Sequence, residues 1–279
     1  MKKFPNPQIP ARKVFAYAIL CIAAAVFLLP LFWMLSSSLK PEWQVLANPP
    51  VWLPNPPRWE NYREALTYLP FGRYAINTLI ISLGAIVGHV LSCTLVAYAF
   101  ARLRAPGKGF LFLLVLSTLM LPYPVTMVPL FGIFNQLGWI DTFLPLIVPA
   151  FFGNAFYIFL LRQAFKQIPA ELEDAARLDG ANTMQMLWNV VLPLSKPALA
   201  TVAIFTFQYA WNDFLGPLIF LHDQTRYTLT LGLAFFRGAY EVNWAYLMAA
   251  SLVVTLPVVL VFFFAQRVFI RGVAYAGSK

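Results

Sequence analysis

Six apolar runs of about 20 residues divide the chain, the length a helix needs to cross a bilayer core of roughly 30 Å. They extend from about Val14 to Leu35, Tyr74 to Phe100, Phe110 to Phe134, Thr142 to Leu161, Pro197 to Leu221 and Ala245 to Gln266. In lipid every backbone N–H and C=O must find its partner within the protein, so only helices and closed barrels can cross. The alternating segments of about ten residues that mark a barrel are absent. The predicted fold is therefore all-α, a polytopic membrane protein with six transmembrane helices. Only 11% of the 279 residues are charged, against about 25% in soluble domains. The first run follows Lys2 and Lys3 as a signal peptide would. It is longer than a secretory apolar segment, and Trp33 to Lys40 lacks an Ala-x-Ala cleavage pattern, so it reads as a retained helix. Cys21 and Cys93 both fall inside apolar runs and read as small packing residues, not as a disulfide framework.

The basic residues set an expected orientation. With the N-terminus inside, the inner segments hold Lys2, Lys3, Arg12, Lys13, Arg102, Arg104, Lys108, Arg162, Lys166, Arg177, Lys196, Arg267, Arg271 and Lys279, most of the 20 Lys and Arg. The outer segments keep Lys40, Arg58, Arg63, Arg73, Arg226 and Arg237. Lys and Arg resist translocation, so both termini are expected in the cytoplasm. The divisions are a cytoplasmic segment 1–13, a six-helix domain 14–266 and a cytoplasmic tail 267–279. The formal charge of +9 calls for no nucleic acid, because cationic loops suit anionic lipid headgroups. Between Ser36 and Arg73 the prolines rule out a continuous helix, while Trp43, Trp52 and Trp59 suit the headgroup layer; an extended outer loop is expected. Pro122, Pro124 and Pro129 interrupt the third run. Asp141 or Thr142 is expected to cap the fourth, which Pro145, Pro149 and Gly153 bend. Tyr227 to Phe236 is too short to span and reads as an outer-surface or re-entrant element.

One polar interruption stands out. Ala170 to Asp179 holds mostly good helix formers and stops at Gly180, a residue that tolerates a left-handed end position. Leu172, Ala175, Ala176 and Asp179 fall on one face, and Glu173 and Arg177 stand at i, i+4, a pair worth about 0.2–0.5 kcal/mol. A second helix is expected from Thr183, as its cap, to Leu192, with Met184, Leu187, Val190 and Val191 on one side and Pro193 at its end. Ser195 and Pro197 then suit the start of the fifth span. The result is an elbow within a coupling loop of about 162–196, joined through one bend to the membrane helices.

The spacing Asp174-Ala175-Ala176, Gly180, Val190, Leu192-Pro193 resembles the cytoplasmic loop of the permease subunits of binding-protein-dependent ABC importers. Leu137 to Thr142, Ile168 to Glu173, Trp211 to Phe214 and Arg267 to Gly272 are similar to the sugar-importer branch, in particular to the smaller permease of maltose or glycerol-phosphate systems. The resemblance runs from the first span to the tail. It implies a transport subunit of a bacterial or archaeal inner membrane, an ATPase-coupling loop carrying Glu171, Leu172, Glu173, Asp174, Ala175, Ala176, Asp179, Gly180, Leu192 and Pro193, and alternating access. It also implies a second permease, two cytoplasmic ATPase subunits that bind ATP and Mg, and an extracytoplasmic binding protein that delivers a sugar-like substrate. Asp174 stands where the family commonly has Glu, and adjacent Glu173 leaves open which carboxylate carries the coupling. Pro106-Gly107-Lys108-Gly109 is a turn and not a nucleotide loop, so no ATPase site is expected in this chain.

Asn77, Tyr123, Gln208, Trp211, Asn212 and Asp213 are the candidates for a pathway wall or for contact with the second permease. A membrane carboxylate needs water, a partner or an interface, which singles out Asp213. Asn77, His89, Asn154 and Gln208 suit either a sugar hydroxyl or a neighbouring helix. Tyr123, Phe131, Phe207, Tyr209 and Trp211 offer rings to a sugar. His89 has no companion ligand, so no metal site is expected, and no catalytic arrangement of Ser, Cys and His emerges. A secondary transporter and a purely structural membrane subunit are the alternative readings.

Overall fold

The computed structural model describes residues 11–237 and 242–277. The described residues are helical apart from turns and one isolated antiparallel bridge between Arg237 and Val242. In chain order the helices are α1 (Ala11–Ser38), α2 (Glu42–Val45), α3 (Glu60–Tyr68), α4 (Phe71–Arg102), α5 (Lys108–Ser117), α6 (Tyr123–Gln136), α7 (Leu144–Ile147) and α8 (Ala155–Lys166). They continue as α9 (Ala170–Leu178), α10 (Thr183–Met186), α11 (Leu192–Leu194), α12 (Lys196–Asn212), α13 (Leu215–Phe220), α14 (Leu229–Ala234) and α15 (Trp244–Gly277). Tight 3₁₀ turns follow α5, α7 and α13, and a π-helical stretch Leu187–Val191 joins α10 to α11. Two compact units arise, Met1–Leu69 with Phe236–Val253, and Pro70–Phe235 with Val254–Lys279.

Four helical stretches are long and apolar enough to cross a membrane: Phe15–Ser38, Phe71–Arg102, Leu144–Lys166 and Trp244–Gln266. Two bent pairs raise the number to six if each counts as one span: Lys108–Met120 with Tyr123–Gln136, bent by 98°, and Thr183–Leu194 with Lys196–Asn212, bent by 80°. The chain is thus an all-α polytopic membrane protein, with breaks that a count of apolar residues does not foresee. The third run breaks at Leu121, held extended because the ring of Pro122 disfavours a helical predecessor. The fifth stops at Asp213 and not at Leu221, and α13 starts afresh beyond it.

In the fourth run α7 starts after Phe143, and of the two expected caps only Thr142 bonds to its first turn. Asp141 has φ 59° and sends its carboxylate elsewhere, while Thr142 Oγ1 accepts from Leu144 N at 3.2 Å. The run breaks at Gly153, where φ is +91°. Asn154 then caps α8, its side chain accepting from Phe156 N at 3.0 Å and Tyr157 N at 3.3 Å. At the chain ends, α15 continues past Gln266 to Gly277, into the expected tail. Residues 1–10 of the expected N-terminal segment, and 278–279, lie outside the described residues.

In the first unit the proline-rich segment is more ordered than an extended loop. Buried Asn61 of α3 donates through Nδ2 to the carbonyls of Ser38 and Lys40, both at 2.9 Å, and so pins α3 to the end of α1. The Glu42 carboxylate accepts from the backbone N–H groups of Trp244 at 2.8 Å and Ala245 at 2.9 Å, filling orphan donors at the start of α15.

In the second unit the core forms where α4, α8 and α12 meet: Cys93, Ala97, Tyr98, Tyr157, Ile158, Leu161, Phe165, Ile168 and Val202, joined by Leu187 and Val191. Gly88 permits the close approach of α4 to the turn Val148–Phe152. A Cβ there would stand 2.8 Å from the Phe151 ring and 2.9 Å from the Ala150 Cβ. Ser92 Oγ closes the contact by donating to the Ala150 carbonyl at 2.9 Å. Of the two cysteines, Cys93 is buried in this core and Cys21 is exposed on α1.

Candidate functional site

The acid-rich stretch folds as a helix with a glycine stop. At the end of α9, Ala181 N donates to the Ala176 carbonyl at 2.9 Å and Gly180 N to the Arg177 carbonyl at 3.1 Å, while Gly180 takes φ +83°. These are the paired bonds of a left-handed helix stop, which satisfy carbonyls that the helix leaves orphaned. The next arm is capped by Asn182 and not by Thr183. Its side chain accepts from Gln185 N at 2.9 Å, and the Gln185 side chain accepts from Asn182 N at 2.8 Å. Asn-x-x-Gln is a capping box, a signal present in the sequence. Pro193 lies inside α11 and the arm ends at Ser195, whose buried hydroxyl has no hydrogen-bond partner among the described residues and does not cap α12.

The second arm departs from a regular helix. The π-helical stretch inserts extra residues per turn, so Met186, Leu187 and Val191 are buried, whereas Met184 is exposed. Leu187 and Val191 thereby join the core of α4, α8 and α12.

On α9 the expected Glu173–Arg177 pair does not form. Arg177 Nη1 instead stands 3.3 Å from Asp174 Oδ1, and both side chains are well exposed. Glu173 is buried, with Oε1 2.8 Å from Arg102 Nε at the end of α4. Arg102 Nη2 also donates to the carbonyl of Phe165, at 2.6 Å, and to that of Ile168. Glu171, Leu172, Asp174, Ala175, Asp179, Gly180 and Pro193 are exposed, while Ala176 and Leu192 are half-buried. Leu178, an apolar side chain, is 90% exposed.

The second feature is a cavity of about 290 Å³ bounded by α4, α6, the α7–α8 break, α12 and α13. Its polar lining is His89, Tyr123, Asn154, Tyr157, Thr206, Tyr209 and Asp213, set among Ile81, Leu130, Phe134 and other apolar groups. Thr206 Oγ1 and His89 Nδ1 lie 3.3 Å apart across α12 and α4. Asp213 Oδ1 accepts from Gly216 N at 3.1 Å, and its carbonyl accepts from Thr230 Oγ1 at 2.6 Å.

Of the residues proposed from sequence for a pathway or subunit contact, Tyr123 and Asp213 line this cavity. Asn77 donates to the carbonyls of Thr225 at 3.0 Å and Tyr227 at 2.9 Å. Trp211 Nε1 donates to the Val254 carbonyl at 3.0 Å. Asn212 bonds back to the Gln208 carbonyl at 2.8 Å, and Gln208 borders an apolar groove with Phe207, Val258 and Phe262. Among the other rings, Tyr209 lines the cavity while Phe131 stacks on Phe220. Sequence reasoning missed Tyr157 and Thr206, which carry no signal beyond an apolar helical setting, and Arg102, which was counted only as a positive charge. Among the described residues no cluster of His, Cys, Asp and Glu has the makings of a metal site.

A clasp joins the loop before α7 to the loop after α13. Asp141 Oδ1 accepts from His222 N at 3.1 Å and Asp223 N at 3.0 Å, Asp141 N donates to the Phe220 carbonyl at 2.8 Å, and Arg226 donates to the Asp141 carbonyl. The Thr225 N–H beside Asp223 holds that carboxyl below the usual carboxylate range.

Residues 93–275, more than half of the chain, match the family described as binding-protein-dependent transport system inner membrane component. The chain belongs to that permease family. The permease is similar to the diacetylchitobiose uptake system permease protein NgcG of Streptomyces coelicolor, with 33% identity over 90% of this chain and 84% of the relative. It is also similar to the sn-glycerol-3-phosphate transport system permease protein UgpE of Yersinia pseudotuberculosis, with 32% identity over 93% and 95% of the two chains. A chain of a bacterial ABC transporter involved in the import of the acidic polysaccharide alginate superposes with a TM-score of 0.82 and 26% identity, over 95% of this permease and 99% of that chain. The permease is therefore a transport subunit of an ABC importer and not an enzyme. The secondary-transporter and purely structural readings fall with that membership.

Proposed function

We propose that this permease carries a sugar or a related small polar solute inward across a bacterial or archaeal cytoplasmic membrane, by alternating access driven by partner ATPases. The observation that carries the cargo class is the cavity, where three tyrosines, Tyr123, Tyr157 and Tyr209, stand beside Asn154, Thr206 and His89. Aromatic faces suit the apolar face of a sugar ring, while a few fixed polar groups receive its hydroxyls. A relative with diacetylchitobiose, a neutral sugar, in its name supports the same class. Asp213 is the one charged residue of the lining and no Lys or Arg joins it, which favours an uncharged cargo. An anion there would face a carboxylate at low dielectric.

The coupling reading places the face of Glu171 to Gly180 against a cytoplasmic ATPase that holds ATP and Mg. The complete assembly holds a second permease, two ATPase subunits and an extracytoplasmic binding protein. In this reading both termini and the elbow are cytoplasmic, with the membrane domain 14–266 between them. Closure of the ATPase displaces α9, and the second arm passes the motion on because Leu187 and Val191 share a core with α4, α8 and α12. Those helices also supply His89, Tyr157, Thr206 and Tyr209 to the cavity. Hydrolysis resets the inward opening.

The test is uptake by the assembled transporter in proteoliposomes with its binding protein. Tyr123→Ala and Tyr209→Ala are expected to slow uptake of a neutral sugar by roughly 2- to 12-fold, the equivalent of an aromatic contact of 0.5–1.5 kcal/mol, with the ATPase still bound. Undiminished uptake in both variants rejects the cavity as the pathway.

A further inference from the structure

Adjacent carboxylates on α9 have opposite surroundings. Successive helix residues point about 100° apart, and here that rotation carries Asp174 outward, its side chain 68% exposed, and Glu173 inward, its side chain 9% exposed. What Glu173 meets is a single guanidinium that touches three elements. Arg102 is the last residue of α4, its Nε stands 2.8 Å from Glu173 Oε1 on α9, and its Nη2 reaches the carbonyl of Phe165 at the end of α8 and that of Ile168 in the turn just beyond it. Terminal carbonyls of a helix lack intrahelical donors, and a cation near them is favoured by the helix dipole. Arg102 therefore belongs at the end of α8 whether or not Glu173 is present, and Glu173 adds the link to α9.

We infer that Glu173 and Arg102 form a buried tether that makes the first arm of the elbow a rigid extension of α4 and α8. The inference rests on the coupling reading and assigns the two carboxylates different tasks. Asp174 faces the partner ATPase, and Glu173 is a positioning residue that never touches it. Motion imposed on α9 then enters the membrane helices by two routes. One passes through Gly180 and the second arm into the core shared by α4, α8 and α12, and the other passes directly through Arg102 into α4 and α8. Only the direct route is rigid, because the first must turn a glycine corner.

The assembled transporter in proteoliposomes tests this with Glu173→Gln, Arg102→Gln, Asp174→Asn and the charge exchange of Arg102→Glu with Glu173→Arg. Glu173→Gln is expected to leave ATPase co-purification intact and to lower solute moved per ATP hydrolysed at least several-fold, with partial recovery in the charge exchange. Hydrogen exchange of Ala170–Leu178 in the nucleotide-free complex should quicken several-fold in Glu173→Gln, a readout that needs no transport. Unchanged exchange, or an unchanged ratio of transport to hydrolysis, overturns the tether. Loss of the ATPase with Glu173→Gln as complete as with Asp174→Asn also overturns it, since Glu173 would then be a partner contact. If Asp174→Asn alters neither association nor transport, the coupling face itself fails, whatever Glu173 does.

Discussion

At the residue scale, Asp141 combines a conformation and a set of bonds that few side chains can supply. Its φ of 59° lies in the left-handed region, which among residues with a Cβ is most tolerated by Asn and Asp. Its carboxylate meanwhile gathers the N–H groups of His222 and Asp223 from a distant loop. Asp141→Ala removes both contributions, and because the two N–H groups are exposed to water the expected destabilisation is about 0.5–1.5 kcal/mol, the net worth of an ordinary hydrogen bond. Asp141→Asn keeps the backbone tolerance and an acceptor oxygen, so it should lie closer to the parent. Thermal unfolding in detergent ranks the three; an alanine variant as stable as the parent removes the clasp from the account. This role was not legible in the chain, where Asp141 beside Thr142 reads as a helix cap. The competing donors are 81 and 82 residues away in sequence, so only tertiary structure brings them within reach. The same distance hid Arg102, whose carbonyl partners are 63 and 66 residues distant.

At the scale of elements, the elbow has one arm set by local chemistry and one set by packing. The stop of α9 at Gly180 was legible because a helix ending in glycine needs only its own last turn. A Cβ on Gly180 would meet nothing within 4 Å, so substitution there acts through the backbone alone. Holding an L-residue left-handed costs about 1–2 kcal/mol, more when it is β-branched. Gly180→Val should therefore insert and assemble yet uncouple transport from hydrolysis, while Gly180→Asn should remain close to the parent. Equal coupling in both variants argues against a left-handed corner in the working cycle. The second arm was less legible. A regular helix puts Met184, Leu187, Val190 and Val191 on one side, but burial of Leu187 and Val191 in the core comes with a π-helical stretch that shifts the phase. Gly88 is the opposite case to Gly180: a Cβ there would stand 2.8 Å from Phe151. Gly88→Val should cost about 1–3 kcal/mol through overpacking, whereas Gly72→Ala, where nothing lies within 4 Å, should not suffer that clash. Melting temperatures of the two variants check the contrast.

At the scale of the whole molecule, the apolar runs were legible because bilayer thickness fixes their length, and so were the breaks at Pro122 and Gly153, whereas the Asn154 cap and the stop of α12 before Asp213 depend on local hydrogen bonds that apolar length does not show. The helix α3 escaped notice because its anchor, Asn61, works through carbonyls more than 20 residues away. Sidedness rests on the basic residues and on the elbow, and one residue makes it testable. Leu178 is 90% exposed at the end of a polar helix, where an apolar side chain gains stability only when a partner covers it. In the proposed arrangement that partner is the ATPase on the cytoplasmic side. In sealed vesicles of known orientation, a Leu178→Cys variant should react with an impermeant maleimide only from the cytoplasmic face, and only when the ATPase has been stripped away. A Trp59→Cys variant should react from the opposite face in either condition. Cys93 is buried and Cys21 lies in the apolar first helix, so replacing both with serine beforehand gives a clean background. Reaction of residue 178 from the external face would reverse the orientation and remove the coupling role. Cytoplasmic reaction that the ATPase does not suppress would keep the orientation but move the docking face off the end of α9.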